Sequence, residues 1–309
     1  MKRISEATGV SRSQLMVRVQ EEKPPKKRTR YNKGEDQALL PLIVAIMHDR
    51  PTYGYRRMCA LLNRELVKQG KETVNHKRVY RIMKLNNLLL ARYTGLAAAK
   101  AHNGRVSTDT SNTRWCSDGF EFLCDDGQRV RVVFALDTCD REVISFIATT
   151  GGITSQHVQD LMLECVEKRF KGHLSAPTTV EWLNDNGSCY TAHETREFAK
   201  MLNLDLCYTP VRSPESNGMS EAFVKTFKRD YVYVHERHSA SETIEQLHEW
   251  INDYNESAPH KALGMLSPRE FIRRQKLFSA ELQDVEVTGL PMPQSRGQQT
   301  AMTSPVKGA

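Results

Sequence analysis

The chain has 309 residues, of which 39 % are apolar and 26 % charged, enough for a large domain beside a smaller one and too apolar for wholesale disorder. Its longest apolar run, Ala38 to Met47, holds ten residues and contains Pro41, whereas a membrane span needs ~20. Seven cysteines without a C-x-x-C pair, after an N-terminus with no apolar stretch, argue against a zinc pattern, a disulfide framework or a signal peptide and predict a cytoplasmic protein with no membrane contact. The net charge of +7 is uneven: residues 1–108 carry 23 basic against 8 acidic side chains, and residues 109–309 carry 21 against 29. A basic third followed by an acidic remainder predicts nucleic acid as the partner of the first part; a solvated basic surface is the plainer alternative.

In chain order, residues 4–20 read as a short helical piece, with Gly9-Val10-Ser11-Arg12 placed like the turn of a helix-turn-helix. With the basic linker that follows, they form a segment 1–34. Residues 35–90 read as a small helical domain. EDQALLPLIVAIMHDR is apolar enough for a buried helix, and RRMCALLNREL repeats Met58, Leu61, Leu62 and Leu66 at helical spacing. VNHKRVYRIMKLNNLLL puts Val79, Ile82, Met83 and Leu90 on one side and a basic set that includes Lys77, Arg78 and Arg81 on the other, a pattern for phosphate or groove contact or simply an amphipathic helix. Residues 91–112 are a linker. From 113 three strands follow as a meander with Asp125-Asp126-Gly127 as its first turn, then helix, strand, helix and strand. A helix opened by Ser216 runs through Glu221 to about Asp230. Another lies in SETIEQLHEWINDYN with a capping-box start, and a last one in SPREFIRRQ. The predicted class is α/β: a mixed sheet flanked by helices, preceded by a small all-α helix-turn-helix-like region. The core spans 113–275 and the tail 276–309 is mostly disordered.

Three carboxylates stand out. Asp118 lies in the first strand after Trp115, Asp185 in Asn184-Asp185-Asn186-Gly187 just past the fourth, and Glu221 early in a helix, with 35 residues between the last two. An acid in an apolar strand must be paired, capped or bound to a cation. Asp118 and Asp185 fit that description better than Asp137 and Asp140, which sit at a strand end where Asp commonly turns. Clustered carboxylates repel unless a cation holds them, and Mg²⁺ takes such oxygens while leaving room for phosphate. Two ions ~3.5–4 Å apart serve in-line displacement at phosphorus, with water or a DNA 3′-hydroxyl as nucleophile. Seven residues return a helix to within ~20° of one face, so Glu221, Lys225 and Lys228 would line one phosphate-tracking edge. An i,i+4 surface ion pair is the alternative. Arg212 and Asn217 fall beside it, on the loop before the helix.

These residues, in this order, resemble the OrfB-type catalytic subunit of bacterial two-frame insertion-sequence transposases. The matching segments are Trp115-Cys116-Ser117-Asp118, Asn184-Asp185-Asn186-Gly187 and Ser213 through Glu221, with Lys228 at the basic position. Tyr53-Gly54-Tyr55-Arg56-Arg57, Lys77 through Met83, Tyr254-Asn255 and Pro259 through Gly264 also match. The resemblance covers roughly residues 35–275. It implies a ribonuclease-H-like, five-stranded integrase core with Asp118, Asp185 and Glu221 as catalytic triad and metal ligands. The implied cofactor is Mg²⁺, two ions per site, with Mn²⁺ able to substitute. It implies cleavage at element ends followed by strand transfer into target DNA, and places Tyr55, Arg56 and Arg57 with Lys77, Arg78 and Arg81 on DNA. It further implies a partner from the upstream reading frame, free or fused, and at least a dimer on DNA, since two ends must be held together. A ribonuclease-H-type nuclease that cuts without joining, and a DNA-binding regulator with a silent core, remain as alternatives.

Overall fold

A computed structural model describes residues 34–91, 107–185, 187–208 and 218–288. The expectations for residues 4–20 and the 1–34 segment, and for a helix start at Ser216, lie outside those residues. By its internal contacts the chain divides inside its first described helix, into Met1–Ala45 and Ile46–Ala309. That helix, α1 (Glu35–Asp49), carries Pro41 in its interior. It was expected to be buried, but only Leu39 and Ile43, one turn apart, are; Val44 and Ala45 are exposed.

Within the second unit, α2 (Tyr55–Lys68) and α3 (His76–Leu85) form a helical pair. Met58, Leu62 and Leu66 of α2 and Val79, Ile82 and Met83 of α3 are buried. Asn63 fixes the turn between them by accepting from the Val74 amide and donating to its carbonyl, and Asn75 caps α3 by accepting from Lys77 N. Asn87, in the left-handed region at φ 55°, ends the helical run, so Leu90 lies beyond α3 and is exposed rather than part of its apolar side.

The sheet order is β3-β2-β1-β4-β5. Strands β1 (Arg114–Leu123), β2 (Arg129–Asp137) and β3 (Val143–Thr149) are an antiparallel meander, and β4 (Val180–Asn184) and β5 (Leu204–Tyr208) run parallel to β1. The first turn closes as expected, with Gly127 at φ 83° donating to the Cys124 carbonyl. Period-two alternation splits the strand side chains between two cores. One face carries Phe120, Phe122, Phe134 and Leu183 against α7 (Gly218–Phe227), a π-helical turn (Lys228–Val232) and α8 (Ala240–Glu256). The other carries Trp115, Val133, Ala135 and Trp182 against α4 (Ser155–Arg169) and α6 (His193–Met201). A short helix, α5 (Ser188–Thr191), which the sequence pattern did not suggest, precedes α6.

The helix ends repay attention to their caps. Thr154 opens α4, with His157 closing the reciprocal half of the capping box. Ser239 opens α8 by accepting from Glu242 N, two residues before the predicted start and with only that half of the expected box. Asn255 on α8 holds β3 by bonding both the amide and the carbonyl of Val143. The last helix, α9 (Pro268–Thr288), begins on Pro268 as its composition predicts but continues well past residue 275. Residues to 288 expected in a disordered tail are therefore helical.

Candidate active site

The sheet brings the first two carboxylates side by side. β1 and β4 pair in parallel through Trp115↔Trp182 and Cys116↔Leu183. Two residues further along each chain stand Asp118 and Asp185, and neighbouring strands run ~4.8 Å apart. Asp118 lies opposite Phe134 of β2, so both point to one face. The Phe134 ring sits 4.6 Å from that of Phe223 on α7, and Glu221 is two residues before Phe223. Strand register thus brings Asp118 and Asp185 together, and the charge of Glu221, carried by α7, is felt at Asp118.

Asp118 registers its neighbours. Its carboxyl is pushed up to about 6 by burial and by the charges of Asp185 and Glu221, against the pull of a hydrogen bond from Gly119 N at 2.8 Å. Asp185 accepts from Gly187 N at 3.0 Å. It is exposed beyond the end of β4 and not within the apolar strand; the buried side chain at that end is Asn184. Among the described residues no basic side chain forms an ion pair with Asp118, Asp185 or Glu221. Nor are any three His, Cys, Asp or Glu side chains there closed to metal-ligand distance. The three acids stand as mutually repelling neighbours. Their hard oxygen donors, free of competing cations, fit a divalent ion.

One signal in this loop passes unnoticed in the sequence. A Cβ on Gly187 would meet Asp185 Oδ1 at 3.0 Å, so the glycine allows the amide to approach the carboxylate closely. The Asn-Asp-Asn-Gly pattern is the trace of that requirement.

The expected basic edge is partly realised. Glu221 and Lys225 are exposed and Lys228 is half-buried. The α-helix changes to a π-turn at Lys228, and its ammonium lies 5.7 Å from the ring centre of Phe120, two residues along β1 from Asp118. Arg212 and Asn217 lie outside the described residues. On the helical pair, Lys77 is exposed and Arg78 and Arg81 are half-buried. The Tyr55 ring packs edge-on against Tyr80 at 5.1 Å, and the Arg56 guanidinium lies 5.6 Å over Tyr55.

Arg57 departs from the expected role. Its guanidinium stacks 3.4 Å over the Tyr53 ring and donates to Asp230 at 2.6 Å. Asp230 is buried and also accepts from Thr52 and Arg229. The arginine is held inside the molecule by stacking and charge, which withdraws it from the set expected on DNA. Asp137 and Asp140, passed over as turn formers, are fully buried. Asp137 caps the amides of Asn112 and Cys139, and Asp140 takes a two-pronged bond from Arg169.

Comparison with known proteins gives this arrangement its family. Residues 34–95 match a model described as an HTH-like domain; 109–214 and 202–268 match two models described as integrase core domains. Transposase InsD for insertion element IS2A/D/F/H/I/K of Escherichia coli is 49 % identical over 273 residues, 88 % of this chain and 90 % of that protein. The chain belongs to the insertion-element transposases with an integrase core. The transposase also resembles solved structures at low identity. The simian T-cell lymphotropic virus intasome in complex with PP2A regulatory subunit B56 gamma is 15 % identical with a TM-score of 0.46, covering 78 % of this chain and 76 % of that one. The HTLV-2 integrase catalytic core in complex with magnesium is 14 % identical with a TM-score of 0.40, covering 52 % and 95 %. The InsD relationship and the integrase-core matches favour transposition over a nuclease that only cuts or a silent regulator. An HTH-like domain beside an integrase core makes DNA the transposase's partner. Among the described residues no helix is long and apolar enough to cross a membrane.

Proposed function

We propose that the transposase cleaves element ends and joins them to target DNA at Asp118, Asp185 and Glu221. The observation that supports this is that strand register brings Asp118 near Asp185 while the charges of Asp185 and Glu221 both act on Asp118, with no described basic side chain in ion-pair contact with the three acids. We infer that these residues hold two Mg²⁺ ions, with Mn²⁺ as substitute. Bound there, the metal would supply Lewis-acid stabilisation of charge at phosphorus and lower the proton affinity of the attacking oxygen. The rest belongs to the chain. Asp118 and Asp185, fixed by strand register, set the spacing of the site, and Gly119 and Gly187 orient one oxygen of each through their amides. Glu221 approaches from a separate helix. Lys228, whose ammonium lies 5.7 Å from the Phe120 ring, and Lys225 hold a DNA phosphate along this edge, with Arg212 and Asn217 as further DNA contacts.

In cleavage, water attacks the phosphodiester and the 3′-oxygen leaves as a hydroxyl. In transfer, that hydroxyl attacks a phosphodiester of the target, forming one P–O bond as another breaks. Residues 35–90 engage element ends through Tyr55, Arg56, Lys77, Arg78 and Arg81, and 113–275 form the catalytic core. The transposase works in the cytoplasm on DNA, as a dimer or larger assembly, with the upstream-frame product, free or fused.

The test is strand transfer of labelled, pre-cut element-end oligonucleotides in Mg²⁺ or Mn²⁺. Wild type should give metal-dependent joined products; Asp185→Asn should give none while still binding DNA. Joining by Asp185→Asn at the wild-type rate would refute the assignment.

A further inference from the structure

Across α7 from Glu221 lies a cavity of about 280 Å³. On this helix Met219, Ala222 and Thr226 line the cavity, whereas Glu221 and Lys225 occupy the opposite side at 100° per residue. The remaining wall is basic: Arg57 from α2, Arg141 from the β2–β3 turn, Arg229 from the π-turn, and His260 and Lys261 from the loop after α8. The space far exceeds one water, whose share of the liquid is ~30 Å³. It falls just short of the ~300–1,000 Å³ typical of small-molecule pockets. One phosphate with part of its sugar suits that size better than a whole cofactor.

Three observations say that the cavity is built for an anion. Arg141 has no partner for its guanidinium among the described residues, and its Nε is buried without a hydrogen bond, as is Nε2 of His260, whereas buried donors are normally satisfied. Arg141 is held at φ 64°, a left-handed conformation that favours glycine or asparagine and is an outlier for a bulky side chain. Finally, His260 is pushed down to about 4 by burial and by the positive charges of Arg57 and Arg141, so the cavity has a positive field. The carboxylate felt there, that of Asp230, is already engaged by Thr52, Arg57 and Arg229. The apolar side of the cavity, with Met219, Ala222 and Tyr254, suits a deoxyribose.

We propose that this cavity binds a phosphate of a DNA strand, with Arg141 as its principal donor and Lys261 and His260 beside it. The site is separate from the three carboxylates and rests on the reading of the chain as a DNA-joining enzyme. It would anchor DNA on the far side of the helix that carries Glu221. The ligand chemistry is common to an internal phosphodiester and a 5′-terminal phosphate.

The test uses full-length protein, with Arg141→Gly as the main variant and Lys261→Ala as the second. Glycine is at ease at φ 64°, so Arg141→Gly should melt at or above the wild-type temperature, which a structural arginine would not do. DNA affinity, followed by fluorescence anisotropy across a salt series without divalent metal, should fall about tenfold at low salt. The slope of log affinity against log salt should drop by about one. Lys261→Ala should move both the same way by less. A loss shared by 5′-phosphorylated and 5′-hydroxyl duplexes assigns an internal phosphodiester, and a loss confined to the former a terminal phosphate; either supports the site. Unchanged affinity and slope in Arg141→Gly would overturn it. Inorganic phosphate that stabilises wild type but not Arg141→Gly, with DNA binding unchanged, would overturn the DNA assignment as well. Joining that survives Asp185→Asn would sink the carboxylate site and leave this result untouched.

Discussion

Asp118 offers a direct test of the repulsive site, because its acid–base behaviour turns into stability. Burial and the charges of Asp185 and Glu221 raise its carboxyl to about 6, from an ordinary 3.8. That difference corresponds to ~3 kcal/mol at most, at 1.36 kcal/mol per pH unit. Water reaches this half-buried side chain, so ~1–2 kcal/mol is the realistic range. Because the folded form binds its proton more tightly than the unfolded form, the ionised carboxylate destabilises the fold. The penalty is complete above pH ~6, shrinks as the pH falls from 6 towards 3.8, and is absent below that. Asp118→Asn keeps an oxygen for the Gly119 amide and removes the charge. In EDTA at pH 7 it should therefore melt ~2–8 °C above wild type, at ~2–4 °C per kcal/mol for a domain of this size. By pH 4 the two should coincide. Mg²⁺ should reverse the order, stabilising wild type and leaving the variant, short of one ligand, nearly unmoved. Scanning calorimetry at the two pH values, with and without Mg²⁺, reads all four cases. A variant that melts at or below wild type in EDTA at pH 7 would show that the carboxylates do not repel, and the metal argument would lose its basis.

Three further outcomes can be measured. Gly187→Ala places a methyl 3.0 Å from Asp185 Oδ1 and should lower Mg²⁺-dependent joining about tenfold or more, since small misplacements at a reacting centre are costly, with the melting temperature held; wild-type joining would mean that the loop yields freely. Asp230→Ala leaves Arg57 without its carboxylate and should cost ~3–5 kcal/mol in urea unfolding; a loss under ~1 kcal/mol would show that Asp230 does not hold α2 to the core. Lys228→Ala should weaken DNA binding alike for all sequences and lower the salt slope by about one, and an unchanged slope would remove it from the phosphate edge.

Where the sequence was legible, a local rule decided the outcome. Alternation marked the meander, and helical spacing marked α2 and α3, because each pattern needs only its own element. The three acids proposed as the site stand out through residue type and order, although no local rule explains why Asp118 and Asp185 lie near each other. That follows from the parallel pairing of β1 with β4, whose paired residues, Trp115 with Trp182, are 67 apart in the chain. What escaped notice depended on distant partners. Arg57 reads as a surface base until Asp230 and Tyr53 are placed around it. The His260 loop is marked only by resemblance; its basic cavity with Arg141 emerges when the β2–β3 corner is brought against it. The start of α8 escaped for a smaller reason: Ser239 and Ser241 both offer caps, and only the Ser239 hydroxyl meets the amide three residues on. The segments Tyr53 through Arg57 and Tyr254-Asn255, read only as marks of resemblance, turn out to tie α2 and α8 to the sheet unit.

The same residue type meets two fates around one sheet, and the contrast separates support from chemistry. Asp137 and Asp140 are wholly buried, yet every oxygen is spoken for: backbone amides on Asp137, the Arg169 guanidinium and the Ser111 hydroxyl on Asp140. Burial and the charge of Asp140 still push the Asp137 carboxyl up, but a cation and donors come with it. Asp118 is less buried, but among the described residues it accepts from the Gly119 amide alone and its neighbours are two more acids. A fold selected for stability alone would place an arginine among them, as it does with Arg169 a few ångströms from Asp137. Leaving three carboxylates unpaired costs stability in the free protein, a cost that the metal site proposed above would offset. By the same reasoning, the unpaired Arg141 in its basic cavity waits for a charge of the opposite sign. Two uncompensated centres, one acidic and one basic, then lie on the two sides of α7, suited to metal and to phosphate.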